Sequence, residues 1–127
     1  MPYKTISTAE HDAVVAHVQR FYIDAITKNK PELLAQGAHQ DARIQGLGLD
    51  ELFAPFLSEN VTKSGGHADW RSRIDILGIT PTTAAVRVEF DWGDKPDLKG
   101  YTDFLSLVKF DEGGWKIVNK VFQAYLE

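Results

Sequence analysis

Cysteine is absent from this chain of 127 residues, which rules out a disulfide framework. None is needed, because a single domain of this length can bury roughly two thirds of the surface its unfolded form exposes. Positive charge is also in short supply, with 14 Lys and Arg against 18 Asp and Glu and a formal net charge of -4. That balance argues against nucleic acid or another general polyanion as partner. No apolar run approaches the length of a membrane span. Met1-Pro2-Tyr3-Lys4-Thr5 opens no series of basic, apolar and cleavable segments, so the expectation is a cytoplasmic protein that engages no membrane. Low-complexity tracts, internal repeats and Pro/Gly/Ser linkers are lacking too, which leaves one domain over residues 1–127. Neither a phosphate-binding glycine loop, a nucleophile elbow nor zinc-ligand spacing occurs; Gly46-Leu47-Gly48 has no third glycine and no strand-turn-helix setting. No cofactor and no metal are expected.

What is present divides into a helical first half and a sheet-forming second half. Ser7-Thr8-Ala9-Glu10 has the form of a capping box, followed by Val14, Val18, Phe21, Tyr22 and Ala25 at helical spacing. The first helix should run to about Lys28. Pro31 opens a second, short helix that Gly37 stops. Ala42-Arg43-Ile44-Gln45 reads as a short strand, and Leu49 to Glu59 as a helical stretch that Pro55 should kink or split.

From Asp69 onward the period is two. Trp70, Ser72, Ile74 and Ile76 alternate with Arg71, Arg73 and Asp75. Val86, Val88, Phe90 and Trp92 alternate with Arg87, Glu89 and Asp91, the pattern of a strand with one face on a core. Gly93 to Asp97 connects to a long hairpin, Tyr101 to Phe110 and Trp115 to Tyr125, around the turn Asp111-Glu112-Gly113-Gly114. Helices first and sheet afterwards make an α+β domain with helices on one face.

The segments Tyr101-Thr102-Asp103-Phe104-Leu105-Ser106-Leu107 and Trp115-Lys116-Ile117-Val118-Asn119-Lys120-Val121-Phe122, with His39-Gln40-Asp41-Ala42-Arg43-Ile44 after the second helix, resemble the nuclear transport factor 2-like fold. Within that fold they resemble the SnoaL-like, lumazine-binding family, and the likeness spans nearly the whole chain. It implies a cone-shaped α+β domain in which N-terminal helices pack on a curved, mainly antiparallel sheet around a pocket. It further implies a homodimer through the convex face of the sheet. It implies little about chemistry, since the same cone serves isomerases, cyclases, dehydratases, hydrolases and non-catalytic carriers. Ketosteroid isomerase relatives place a carboxylate base, an oxyanion-binding tyrosine and a protonated acid where alignment puts Gly46, Phe21 and Ser106. Loss of all three argues against that isomerisation, which needs both a base and a stabilised oxyanion.

If Ser106 faces the pocket, strand parity turns Thr102, Phe104, Val108 and Phe110 the same way, with Ile117, Asn119, Val121 and Gln123 on the last strand. Tyr101, Leu105, Leu107, Val118 and Phe122 then form an apolar convex patch for a second copy to cover. The expected ligand-binding set is Phe21, Phe53, Phe104, Ser106, Asn119 and Gln123, an apolar wall with a few orienting polar atoms. Asn119 and Gln123 could equally bond to backbone or water in a filled core. His17, one turn before Phe21, is the candidate general acid or base, although a histidine with no carboxylate partner is more often structural or exposed. His39 and Asp41 form a pair with no third metal ligand. His67 and His11 carry less signal still. The functional expectation is a small-molecule-binding protein with a hydrophobic central pocket. The alternatives are a cyclase, dehydratase or hydrolase using His17, and a protein-interaction adaptor.

Overall fold

The computed structural model describes residues 8–91 and 100–125. The expected serine cap at Ser7, the connection from Gly93 to Asp97, and Trp92 lie outside the described residues. The long first helix comprises α1 (Thr8–Val18), a π-helical turn (Gln19–Asp24) and a last α-helical turn, α2 (Ala25–Thr27). Val14, Val18, Tyr22 and Ile26 recur every fourth residue along it and all are buried. A regular α-helix, at 3.6 residues per turn, would let such a row drift around its axis; the wider π turn keeps Tyr22 in line. Asn29 then adopts a left-handed conformation with φ 54°, which asparagine tolerates, and the helix ends.

Helix α3 (Glu32–Gly37) packs against the π turn, and strand β1 (Ala38–Gly46) follows directly. The segment expected to be a kinked helix is instead strand β2 (Leu49–Leu52) and helix α4 (Phe53–Ser64). Pro55 sits in the first turn of α4, where backbone N–H groups have no intrahelical acceptor, so the missing donor costs nothing and no kink forms.

Strands β3 (Arg71–Ile79), β4 (Thr83–Asp91), β5 (Gly100–Phe110) and β6 (Gly114–Tyr125) complete a six-stranded sheet in the order β2-β1-β6-β5-β4-β3. Only the β1–β6 pair among these is parallel. The helices therefore cover one face of a mainly antiparallel sheet, and the α+β reading holds.

Sheet registers fix which side chains meet the helices. Val86 lies opposite Leu105, Val88 opposite Asp103 and Phe90 opposite Tyr101. As Val86, Val88 and Phe90 are buried, the inward face of β5 is Tyr101, Asp103, Leu105 and Leu107. The parity expected for β5 is thus inverted. On β6, Leu107 pairs with Ile117 but Ser106 pairs with Asn119, leaving Val118 as an extra residue. This bulge reverses the alternation, so Trp115 and Ile117 face inward before it, and Lys120 and Phe122 after it. At the far end of the hairpin, Trp115 Nε1 and Lys109 Nζ donate to the two carboxylate oxygens of Glu10 at 2.8 and 2.7 Å, tying α1 to the sheet.

Gly37 is where α3 meets the first helix most closely: a Cβ there would collide with Phe21 Cβ, which no rotamer can move. Gly37→Ala should therefore cost about 1–3 kcal/mol of stability, read as a lower urea midpoint with unchanged slope.

Candidate functional site

Between the first helix, α4 and the inner face of the sheet lies a cavity of about 350 Å³, within the size range of small-molecule sites. Ile26, Ile44, Leu57, Val61 and Phe90 give it apolar walls. Asn60 and Ser64 of α4, both exposed, mark its mouth, beside His67 and Trp70, whose rings stack at 3.9 Å. Its inner end is polar. Tyr22, Asp103 and Lys120 converge there, at 0, 1 and 6% exposure.

Each of the three arrives by a different element. The π turn directs Tyr22 inward, and Phe53 stacks behind its ring at 6.0 Å. Register with Val88 turns Asp103 inward, and the Val118 bulge does the same for Lys120. The Tyr22 hydroxyl donates to Asp103 Oδ2 at 2.5 Å. Lys120 Nζ stands 3.8 Å from the same oxygen, too far for a hydrogen bond, and 5.2 Å from the ring centres of both Tyr22 and Phe122. Asp103 Oδ1 is buried without a hydrogen-bond partner.

Burial acts on all three groups in the direction of their uncharged forms. It raises Asp103 above the ordinary carboxylate value, against the pull of Lys120 and the Tyr22 bond. It lowers Lys120, against the attraction of Asp103. It raises Tyr22 well above an ordinary phenol, reinforced by the Asp103 charge. A carboxyl, an amine and a phenol buried together can exchange protons with one another and with a guest.

The expected site residues are distributed differently. Phe104, Ser106 and Gln123 lie exposed on the outer face of the sheet, and Asn119, opposite Ser106, shares that face. Their expected inward orientation is corrected by the β4–β5 register and the Val118 bulge. Phe21 is half-buried against His17 and outside the cavity lining, while Phe53 is core, one layer behind Tyr22. His17 also lies outside the lining, and its Nε2–H donates to the Gly37 carbonyl at 2.8 Å. His39 and Asp41 pair at 3.9 Å, and no cluster of metal-ligating groups occurs among the described residues. Arg71 and Arg73 are held by Asp91 and Asp75, each at 3.1 Å.

Tyr22, Asp103 and Lys120 line the cavity without being among the site residues expected from sequence, and His67, given little weight there, lines it too. Tyr22 and Asp103, beside the aligned Phe21 and near the aligned Ser106 in sequence, are the side chains that line the cavity in their stead. The available signal was the apolar company of Asp103: Leu105 and Leu107 share its parity, which marks the inward face.

Residues 9–123 match the family described as "Putative lumazine-binding". The chain belongs to this family. A similar protein is the aldolase FrzH of Cladobotryum sp., 35% identical over 130 residues that cover 96% of this chain and 97% of that protein. Among solved structures, a nuclear transport factor 2-like protein of unknown function from Methylobacillus flagellatus is 29% identical, with TM-score 0.76 over 95% of this chain and 96% of the other. A ketosteroid isomerase-like protein from Erwinia carotovora atroseptica superposes with TM-score 0.72 over 93% and 98% of the two chains at 14% identity, a likeness of fold alone. The nuclear transport factor 2-like fold is therefore established. No helix among the described residues is long and apolar enough to cross a membrane.

Burial holds His17 below the ordinary imidazole value of 6.5, with its bond to Gly37 opposing. The unfolded chain takes up that proton first as pH falls, so the stability owed to neutral His17 is complete above 6.5 and lost below it. The urea midpoint should fall between about pH 7 and about pH 5, with a shallower fall in His17→Gln.

Proposed function

We propose that this protein binds a small, mainly apolar carbonyl compound in the cavity and catalyses proton transfer at the carbon beside the carbonyl. The reaction this serves is the making or breaking of a carbon–carbon bond of the aldol type. One observation carries the reading: Tyr22, Asp103 and Lys120 are buried together at the inner end of an otherwise apolar cavity, with Asp103 Oδ1 left unpartnered. A carrier for an apolar guest gains nothing from burying an acid and an amine, which cost stability. A catalyst that must remove and return a proton does.

In this arrangement the apolar walls hold the body of the guest and the carbonyl group lies against Lys120. Asp103 removes or returns the proton, while the Tyr22 hydroxyl fixes the carboxyl through Oδ2. Exclusion of water strengthens each of these interactions. The aldolase name of the relative at 35% identity supports this choice among the reactions the fold can host. His17, committed to Gly37, has no part in it.

The test is retro-aldol turnover of a fluorogenic β-hydroxyketone that releases a naphthaldehyde. Asp103→Asn, nearly isosteric, should reduce turnover by about 10²-fold or more while far-ultraviolet circular dichroism stays unchanged. Equal turnover by this variant and the parent would refute the reading.

We also propose the homodimer through the outer face of the sheet, now with a different set of residues. Phe104 and Val121 are direct neighbours across β5 and β6 and are 42 and 39% exposed, an apolar pair suited to burial against its own symmetry copy. Sedimentation should give twice the chain mass, and Phe104→Glu should shift it to the monomer.

A further inference from the structure

Lys120 is buried at the inner end of the cavity, with Nζ beside Asp103 and the rings of Tyr22 and Phe122. We propose that its Nζ forms a covalent imine with the carbonyl carbon of the substrate, an inference that rests on the carbonyl-binding reading above and specifies how that site acts.

The other lysines with described partners are held at the surface. Lys28 lies 3.6 Å from Asp24, Lys63 2.9 Å from Glu59 and Lys109 2.7 Å from Glu10, and Lys116 donates to the Gln36 carbonyl at 2.6 Å. Lys120 alone among the described lysines is buried and lines the cavity. An aspartate serving only to neutralise it would bond to it directly. Here Tyr22 takes the short bond to Asp103 Oδ2, and the amine stands back at 3.8 Å. Nζ is instead flanked by the rings of Tyr22 and Phe122 at 5.2 Å. These aromatic faces favour the ammonium form, but they form no hydrogen bond to Nζ and leave its lone pair free once the proton is gone. Burial favours that loss.

The neighbouring groups supply the remaining steps. The neutral amine attacks the carbonyl carbon, forming the C–N bond, and the proton released by the nitrogen passes to the former carbonyl oxygen to give a carbinolamine. Asp103, in its acid form, gives a proton to that hydroxyl, and the C–O bond breaks with release of one water. The resulting iminium loses a proton from the adjacent carbon to the Asp103 carboxylate. The enamine so formed bonds through that carbon to the carbonyl carbon of an aldehyde, whose oxygen takes the proton held by Asp103. Water then adds to the iminium and the C–N bond breaks, returning the lysine amine and the product carbonyl. No oxidant, reductant or metal enters the balance, and the apolar walls limit premature hydrolysis.

The experiment uses pentane-2,4-dione, which condenses with an uncharged amine to an enaminone absorbing in the near ultraviolet. At neutral pH the full chain should gain one diketone minus one water, mapped to Lys120 by peptide mass spectrometry. The adduct should be lost in both Lys120→Met and Lys120→Arg, the latter retaining the charge. Turnover of the fluorogenic β-hydroxyketone should be lost in both variants as well. Amide shifts of cavity residues on adding the diketone, without an enaminone, would overturn the covalent role and leave the carbonyl pocket standing. So would an adduct spread evenly over surface lysines, or turnover kept by Lys120→Arg. Neither cavity shifts nor adduct would overturn the carbonyl reading and the imine together.

Discussion

One unpaired residue, Val118, decides which side of the last strand faces the helices. Before it, Trp115 and Ile117 point inward; after it, Lys120 and Phe122 do. With uninterrupted alternation these two sets would lie on opposite faces of the sheet, because a shift of one residue exchanges the faces of everything beyond it. The bulge therefore lets one strand serve two purposes. Its first half closes the base of the core, where Trp115 reaches Glu10 of α1. Its second half supplies an amine to the cavity. The π turn in the first helix has a similar effect, holding Tyr22 on the row of Val14 and Val18. Both irregularities direct side chains to one polar end of the cavity.

That end runs against the economy of the rest of the core. Among the described residues, twenty-one apolar side chains make up the buried core, and Asp103 and Lys120 are the polar ones buried with them. Taking an aspartate and a lysine out of water costs several kcal/mol per charge unless they pair well, and a separation of 3.8 Å is poor pairing. Moving the proton from the ammonium to the carboxylate reduces the cost by leaving both groups neutral, the direction in which burial pushes each. A buried group under such pressure is reactive for the same reason that it is destabilising.

The comparison with the isomerase-like neighbour shows how far a shared cone extends. The two chains share the fold with little common sequence. In this chain Tyr22, Asp103 and Lys120 face the cavity, and Gly46 ends β1. Function in such folds follows from which side chains the sheet turns inward.

Much of the architecture could be read from residues alone. The helical row from Val14, the stop at Gly37, the alternation of β4 and the Gly113-Gly114 turn are local signals, and the structure keeps each of them. Pro55 misled because a proline is hostile inside a helix and harmless in its first turn, and the start of α4 depends on Leu49–Leu52 pairing with β1. The site was less legible still. In β5 both parities carry apolar side chains, so local pattern could not say whether Asp103 or Ser106 faces inward. By itself the sequence determined the elements and the fold class, because helix and strand propensity, period and turn chemistry act over a few residues. Tertiary structure alone decided the cavity and its Tyr22, Asp103 and Lys120, because strand register, the Val118 bulge and the π turn arise from contacts between segments far apart in the chain.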